Sequence, residues 1–134
     1  MRNFRISLKL AAAGAACLVS TMPVAAQAPG LAMLDGLDRG SWDLRLRPDG
    51  GTTKLCIRTG REFIQLRHRQ LNCERFIVQD EPGVVTVQYT CRGNGYGRTT
   101  IRRESASLVQ IRSQGIQDGR PFSIEGEARR TGPC

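Results

Sequence analysis

The chain has 134 residues, of which 40% are hydrophobic, 24% are charged and only 5% are aromatic, and its formal net charge is +8. A chain of this length forms one domain rather than two. The scarcity of aromatic residues argues against a surface that stacks the bases of single-stranded nucleic acid.

The first predicted element is a cleaved signal peptide over residues 1–26. A basic start, an apolar run and a small-residue cleavage site follow one another in the order typical of secretion: Arg2, Arg5 and Lys9, then residues 10–19, then Val24 to Ala26. A cut after Ala28 also fits the small-residue rule, but it places Pro29 directly after the cut, so cleavage after Ala26 is favoured. The apolar run is shorter than the roughly 20 residues of a membrane span, and no span is expected after cleavage.

Removal of the first 26 of the 134 residues leaves 108, beginning at Gln27, with 17 basic and 12 acidic residues and a net charge of +5. Export implies the periplasm, where thiols oxidise. It excludes cytosolic metabolism and genome binding. Residues 27–38 are rich in Ala, Gly and Pro and predict a flexible lead-in, and residues 39–134 predict a single disulfide-braced β domain.

Alternation of apolar and polar residues with a period of two dominates the mature chain and predicts β-strands. In the run 84–91, for example, Val85, Val87, Tyr89 and Cys91 share one face. In chain order the expected strands cover residues 42–47, 53–58, 74–79, 84–91, 98–104, 107–114 and 122–129. About seven short strands at this spacing predict a mostly β fold, an antiparallel meander that forms a curled sheet or a small barrel.

One short helix is predicted over residues 60–70. Thr59 and Glu62 have the spacing of a capping box, in which each side chain bonds the other residue's backbone N–H. Phe63 and Leu66 lie three residues apart, which suits one face of a helix.

Four cysteines remain after export: Cys56, Cys73, Cys91 and Cys134. No C-x-x-C pair occurs, which argues against a structural zinc site. Three disulfide pairings are possible in principle. Cys73 and Cys91 flank a predicted strand–turn–strand unit that brings its ends together, so a Cys73–Cys91 bridge is expected, and Cys56–Cys134 is the remaining pair.

Several short motifs occur in a characteristic order: Gly40-Ser41-Trp42-Asp43, Cys56-Ile57-Arg58, the Cys73 and Cys91 pair, and Gly132-Pro133-Cys134. In this order and spacing, residues 37–134 resemble family 3617 of the domains of unknown function, small exported four-cysteine proteins of Gram-negative bacteria. Arg58 departs from the small hydroxyl residue that is common there. The resemblance implies a fold and a compartment, and it carries no mechanism.

No catalytic residue, metal ligand or cofactor site is predicted. His68 is the only histidine, and it lies between Arg67 and Arg69 without a motif that marks a nucleophile. A single histidine also argues against a histidine-built metal site. Trp42 and Tyr89 are assigned either to the core or to the lining of a ligand site.

Arginine is the most frequent charged residue, and pairs of arginines recur along the chain. Arg67, Arg69, Arg102 and Arg129 are the candidate contacts for an anion, whereas nucleic acid is disfavoured as a partner. Adjacent residues on a strand point to opposite faces, so Arg102 and Arg103 are not expected in one patch.

The sequence therefore predicts a non-enzymatic, exported β domain that binds a small ligand or another envelope protein. One alternative is weak binding of anionic envelope components through arginines. Another is an enzyme without a recognisable motif.

Overall fold

The computed structural model describes residues 30–48 and 50–134. The predicted signal peptide, residues 1–26, and the predicted new N-terminus at Gln27 lie outside the described residues. Within the described ranges, a four-residue helix, α1 (Ala32–Asp35), and a 3-10 turn (Arg61–Phe63) accompany seven strands. The strands are β1 (Gly40–Arg47), β2 (Thr52–Ile57), β3 (Cys73–Asp80), β4 (Val84–Cys91), β5 (Gly95–Ser105), β6 (Leu108–Gln117) and β7 (Arg120–Gly132).

The strands form one antiparallel sheet in the order β2-β1-β7-β6-β5-β4-β3. Strands β3 to β7 form a meander, and β1 pairs with both β7 and β2, which places the beginning and the end of the domain side by side. Within the described residues β2 and β3 each have one neighbour, so the sheet is open rather than a closed barrel. The prediction of a mostly β antiparallel meander with about seven strands is confirmed.

The hairpin between β6 and β7 has a two-residue loop, Asp118-Gly119. Both residues have positive φ, 50° and 75°. This is the backbone of a type I′ turn, for which an Asp-Gly pair is strongly preferred because its twist matches that of the flanking strands.

The two faces of the sheet differ sharply in burial. On the face called the inner face here, Val85, Val87 and Tyr89 of β4 are at most 1% exposed. On the opposite, outer face Gln88 and Thr90 are exposed, whereas Thr86 is 4% exposed and bonds Gln79 and Thr100 through its hydroxyl. Other strands contribute to the same core through Trp42, Leu44, Ile101, Val109, Ile111 and Ala128. The period-two pattern thus correctly assigned the buried face.

The flexible lead-in predicted for residues 27–38 is wrong for its described part, residues 30–38. Leu34 is 1% exposed and Leu37 is 6% exposed, and both belong to the core. The backbone N–H of Leu31 donates to the Asp80 carboxylate at 2.8 Å. These apolar side chains cover the inner face. Leu31, Leu34 and Leu37 recur every third residue, but this run is shorter than the window of about 11–18 residues from which a period is recognised.

The helix predicted for residues 60–70 is also wrong in its extent, because only Arg61–Phe63 forms a 3-10 turn. The capping interaction is present in part. The Glu62 carboxylate accepts the N–H of Thr59 at 3.2 Å, and the Thr59 hydroxyl accepts the N–H of Arg61 at 3.3 Å. In an α-helix the Ile64 carbonyl would accept the N–H of His68. Here the Ile64 carbonyl accepts the Thr99 hydroxyl at 2.7 Å, and the N–H of His68 donates to the Gln65 carbonyl. Contacts with the sheet therefore replace the i→i+4 hydrogen bond of a helix.

Both predicted disulfides are present, and each one anchors an edge strand. Cys73 of β3 lies directly opposite Cys91 of β4, with the two Cα atoms 4.3 Å apart. Cys56 of β2 is bonded to Cys134 with a Cα separation of 5.7 Å. The disulfides indicate an oxidising compartment. Among the residues that the structure describes, no helix has the length and apolar character needed to cross a membrane.

Candidate functional site

The core opens at the gap between the two edge strands. Residues 58–72 connect the end of β2 to the start of β3, so this segment must cross from one edge of the sheet to the other. A cleft of 490 Å³ lies against this segment and is called the edge cleft here. Its volume is within the range of about 300–1,000 Å³ that is usual for small-molecule sites.

Three leucines supply the apolar lining of the edge cleft. Leu55 of β2 and Leu66 of the connecting segment are half-buried and pack against the core. Leu71 lies at the cleft and is 97% exposed. Leu71 therefore buries almost no surface within the described residues, and its apolar side chain is part of the cleft lining.

His68 is fully buried beside the cleft, and both of its ring nitrogens have partners. Nε2 lies 2.9 Å from the Asn94 carbonyl oxygen, and Nδ1 lies 3.0 Å from the Tyr89 hydroxyl. A carbonyl only accepts, so these contacts assign the proton to Nε2, and Nδ1 accepts the Tyr89 O–H. Neither nitrogen faces a serine or a carboxylate of the described residues, so His68 supports the connecting segment rather than a hydrolytic triad.

Tyr89 belongs to a buried polar layer on the inner face. Burial raises the pKa of the Tyr89 hydroxyl, and a hydrogen bond with Ser113 opposes this shift in part. Gly97, opposite Tyr89 across the ladder, leaves the space that the phenol ring occupies, because a Cβ there would collide with the Tyr89 hydroxyl. Tyr89 is therefore part of the core.

Arg75 is held by an uncharged partner. Its Nε donates to Oε1 of Gln65 at 2.6 Å. Gln65 is 8% exposed and is itself fixed, because its amide donates to the carbonyls of His68 at 3.0 Å and Gln70 at 3.2 Å. Partial desolvation lowers the pKa of Arg75, the positive charge of Arg61 lowers it further, and the negative charge of Glu62 opposes these effects. Within the described residues Arg75 forms no ion pair.

The remaining charges of the edge cleft are Arg61, Glu62 and Arg69. Arg61 pairs with Asp35 at 2.6 Å, and this hydrogen bond lowers the pKa of the Asp35 carboxyl. Glu62 accepts the backbone N–H groups of the capping interaction. Arg69, like Arg75, has no carboxylate partner in the described part of the chain.

A second charged surface lies on the outer face of the sheet. The cross-strand register places six arginines there from four strands; this set, called the outer arginine face, is Arg45, Arg47, Arg98, Arg102, Arg112 and Arg129. Acidic residues are interleaved. Arg112 pairs with Glu125 at 2.8 Å. A hydrogen bond from Gln110 holds the pKa of Glu127 below its usual range, although burial opposes this shift.

The candidate residues from the sequence fall in different places. Trp42 is fully buried and donates its indole N–H to the Asp38 carbonyl at 3.0 Å, so it is a core residue. Arg69 lies at the edge cleft, whereas Arg102 and Arg129 lie on the outer face. Arg67 lies near the β6–β7 hairpin, where its carbonyl accepts the Gln117 amide at 2.9 Å. The four arginines therefore do not form one patch.

Sequence reasoning missed Arg61, Gln65 and Arg75 in the edge cleft. Arg75 and Cys73 are two residues apart on β3, so their side chains point to the same face, and this spacing was a usable signal that Arg75 points inward. No local signal connects Gln65 to Arg75, because their pairing depends on how the connecting segment returns to β3.

Among residues 30–48 and 50–134, no group of three or more His, Cys, Asp or Glu side chains lies close enough to hold a metal ion. Comparisons with models of protein families, with curated proteins and with solved structures find no match to this chain.

Proposed function

We propose that this chain is a non-enzymatic exported domain of the periplasm that binds a small ligand in the edge cleft. The observation that carries the proposal is the cleft itself, a 490 Å³ opening between two edge strands, lined by Leu55, Leu66 and Leu71. Apolar lining with a few convergent polar groups is typical of small-molecule sites.

The surroundings of the cleft support a preformed site. Each edge strand carries a disulfide, Cys56–Cys134 on β2 and Cys73–Cys91 on β3. The buried hydrogen bonds of His68 and Gln65 fix the segment between them. A ligand that enters a preformed cleft loses less free energy to ordering of the protein.

The compartment and the family are parts of the same proposal. The predicted signal peptide and the resemblance of residues 37–134 to family 3617 of the domains of unknown function support export, and the two disulfides are consistent with it.

Amide chemical shifts of the ¹⁵N-labelled mature protein test the proposal, with small-molecule extracts of the native cell envelope as the titrant. We expect shifts at Leu66, Leu71 and Arg75. Leu71→Glu, which places a charge at the cleft without disturbing the core, should abolish them. Phe76→Glu is the matched control, because Phe76 is 71% exposed on the outer face of the same edge. Shifts confined to the outer face, or equal losses in both variants, would contradict the cleft as the site.

The outer arginine face favours a second candidate, the binding of anionic envelope components. Three of its members, Arg45, Arg47 and Arg98, form no ion pair within the described residues. Glu125 and Glu127 lie between the arginines and reduce the positive electrostatic potential of the outer arginine face. Retention on heparin or anionic vesicles should therefore be weak and should fall steeply as the salt concentration rises. Tight retention near physiological salt would favour this function over ligand binding in the edge cleft.

A further inference from the structure

We propose that the ligand of the edge cleft is an amphiphilic monocarboxylate, whose carboxylate binds Arg75 and Arg69 and whose apolar chain lies on Leu55, Leu66 and Leu71. This inference rests on the proposed function and names the chemical class that the cleft selects.

The edge cleft carries a net positive charge. Three arginines and one glutamate line it, which with a neutral His68 gives a formal charge of +2. Asp35, outside the lining, neutralises Arg61 at 2.6 Å, so one positive charge remains uncompensated. A monoanion matches this surplus, whereas a cation would be repelled and a neutral ligand would leave the arginines without an ionic partner.

Arg75 is positioned by a hydrogen bond to an uncharged side chain. Its Nε donates to Gln65, which orients the guanidinium, and the two terminal nitrogens have no hydrogen-bond partner among residues 30–48 and 50–134. Two parallel N–H groups match the two oxygens of a carboxylate. The Gln65 side chain is a neutral amide, so it orients the Arg75 guanidinium without neutralising its positive charge. Arg61, by contrast, is held by the carboxylate of Asp35.

An apolar surface lies beside these charges. Leu55 and Leu66 are half-buried, and Leu71 is 97% exposed at the same cleft. Small polar anions such as phosphate would leave this surface in water. An alkyl chain attached to the anion would cover it, and each buried methylene contributes about 0.8 kcal/mol.

The test compares three probes with the same alkyl chain: dodecanoate and dodecyltrimethylammonium, each below its critical micelle concentration, and dodecan-1-ol below its solubility limit. Binding is measured by isothermal titration calorimetry, and the site is located by amide shifts. We expect dodecanoate to bind most tightly and to shift Leu66 and Leu71. Arg75→Gln should weaken dodecanoate binding about tenfold, the effect of losing one charge-assisted hydrogen bond, with little effect on dodecan-1-ol.

Two further variants make the result specific. Gln65→Glu would give Arg75 an internal carboxylate partner, and the preference for dodecanoate over dodecan-1-ol should disappear. Arg98→Gln removes an exposed outer-face arginine of equal charge and should change nothing. Because Arg75 is also exposed, Arg75→Gln should fold normally even if Gln65→Glu does not.

The outcomes separate this inference from the proposed function. Equal binding of dodecanoate and dodecan-1-ol at the cleft would overturn the carboxylate assignment and leave ligand binding in place. Equal losses in Arg75→Gln and Arg98→Gln would show non-specific charge attraction and overturn the inference. Absence of binding by all three probes, together with no response to envelope extracts, would contradict both.

Discussion

The disulfide between Cys56 and Cys134 should contribute a large part of the stability of this domain. We consider the double variant Cys56→Ala/Cys134→Ala. Both residues are exposed, so the substitutions remove little buried surface and the effect isolates the covalent link. The link joins the β2 edge to the end of the chain, two positions after β7.

The expected magnitude follows from the size of the loop. The bridge closes a sequence separation of 78 residues, and in the chain-entropy model its removal lowers the free energy of unfolding by about 4.5 kcal/mol. Domains of this size have a total stability of about 5–15 kcal/mol. The variant should therefore remain folded only marginally, or unfold at low denaturant.

Equilibrium unfolding in urea measures this loss, and Trp42 is a suitable probe because it is the one tryptophan of the chain and is fully buried. Because the bridge restricts the unfolded chain, its removal should also raise the m-value. Cys56→Ser/Cys134→Ser is the control and should behave in the same way. A loss below about 2 kcal/mol with an unchanged m-value would refute the loop-entropy reasoning.

The core packing, the titration of Tyr89 and the signal peptide can each be tested. Leu34→Ala should destabilise the domain by about 3 kcal/mol and Leu71→Ala by no more than about 0.5 kcal/mol, in urea unfolding; equal losses would contradict the packed lead-in. Burial raises the pKa of Tyr89 in the folded state, and Ser113 opposes this shift in part. The contribution of the neutral Tyr89 side chain to stability is therefore complete below about pH 10, the pKa of a free tyrosine. It is lost as the pH rises through the folded-state pKa. Unfolding series between about pH 9 and pH 11 should show this decline, and Tyr89→Phe should reduce it. Intact-mass measurement of the exported protein should give Gln27 as the first residue, and a species that retains Met1 would contradict the signal peptide.

The sequence predicted the strands and their buried face because that information is local. In β4 the alternation from Val84 to Cys91 assigns each side chain to a face without knowledge of its neighbours. The bridge between Cys73 and Cys91 was also predictable, because a hairpin brings together two residues at equal distances from its turn.

The same reasoning failed where distant contacts override local preference. The lead-in around Leu34 is too short for its apolar spacing to identify an element, and its leucines pack against the core of the sheet, which lies far from them in the sequence. The helix predicted for residues 60–70 ends after Phe63, because Thr99 of β5 bonds the Ile64 carbonyl that a helix would use.

The edge cleft was decided by the tertiary structure alone. Which strands lie at the edges follows from the pairing of β1 with β7, and this pairing joins residues far apart in the chain. The contact between Gln65 and Arg75 requires the connecting segment to fold back across the gap. The sequence by itself thus determined the strands, their faces and the disulfide pairing, through patterns of period two and one hairpin. The position of the opening and the charges that meet there depend on long-range packing, which no local pattern records.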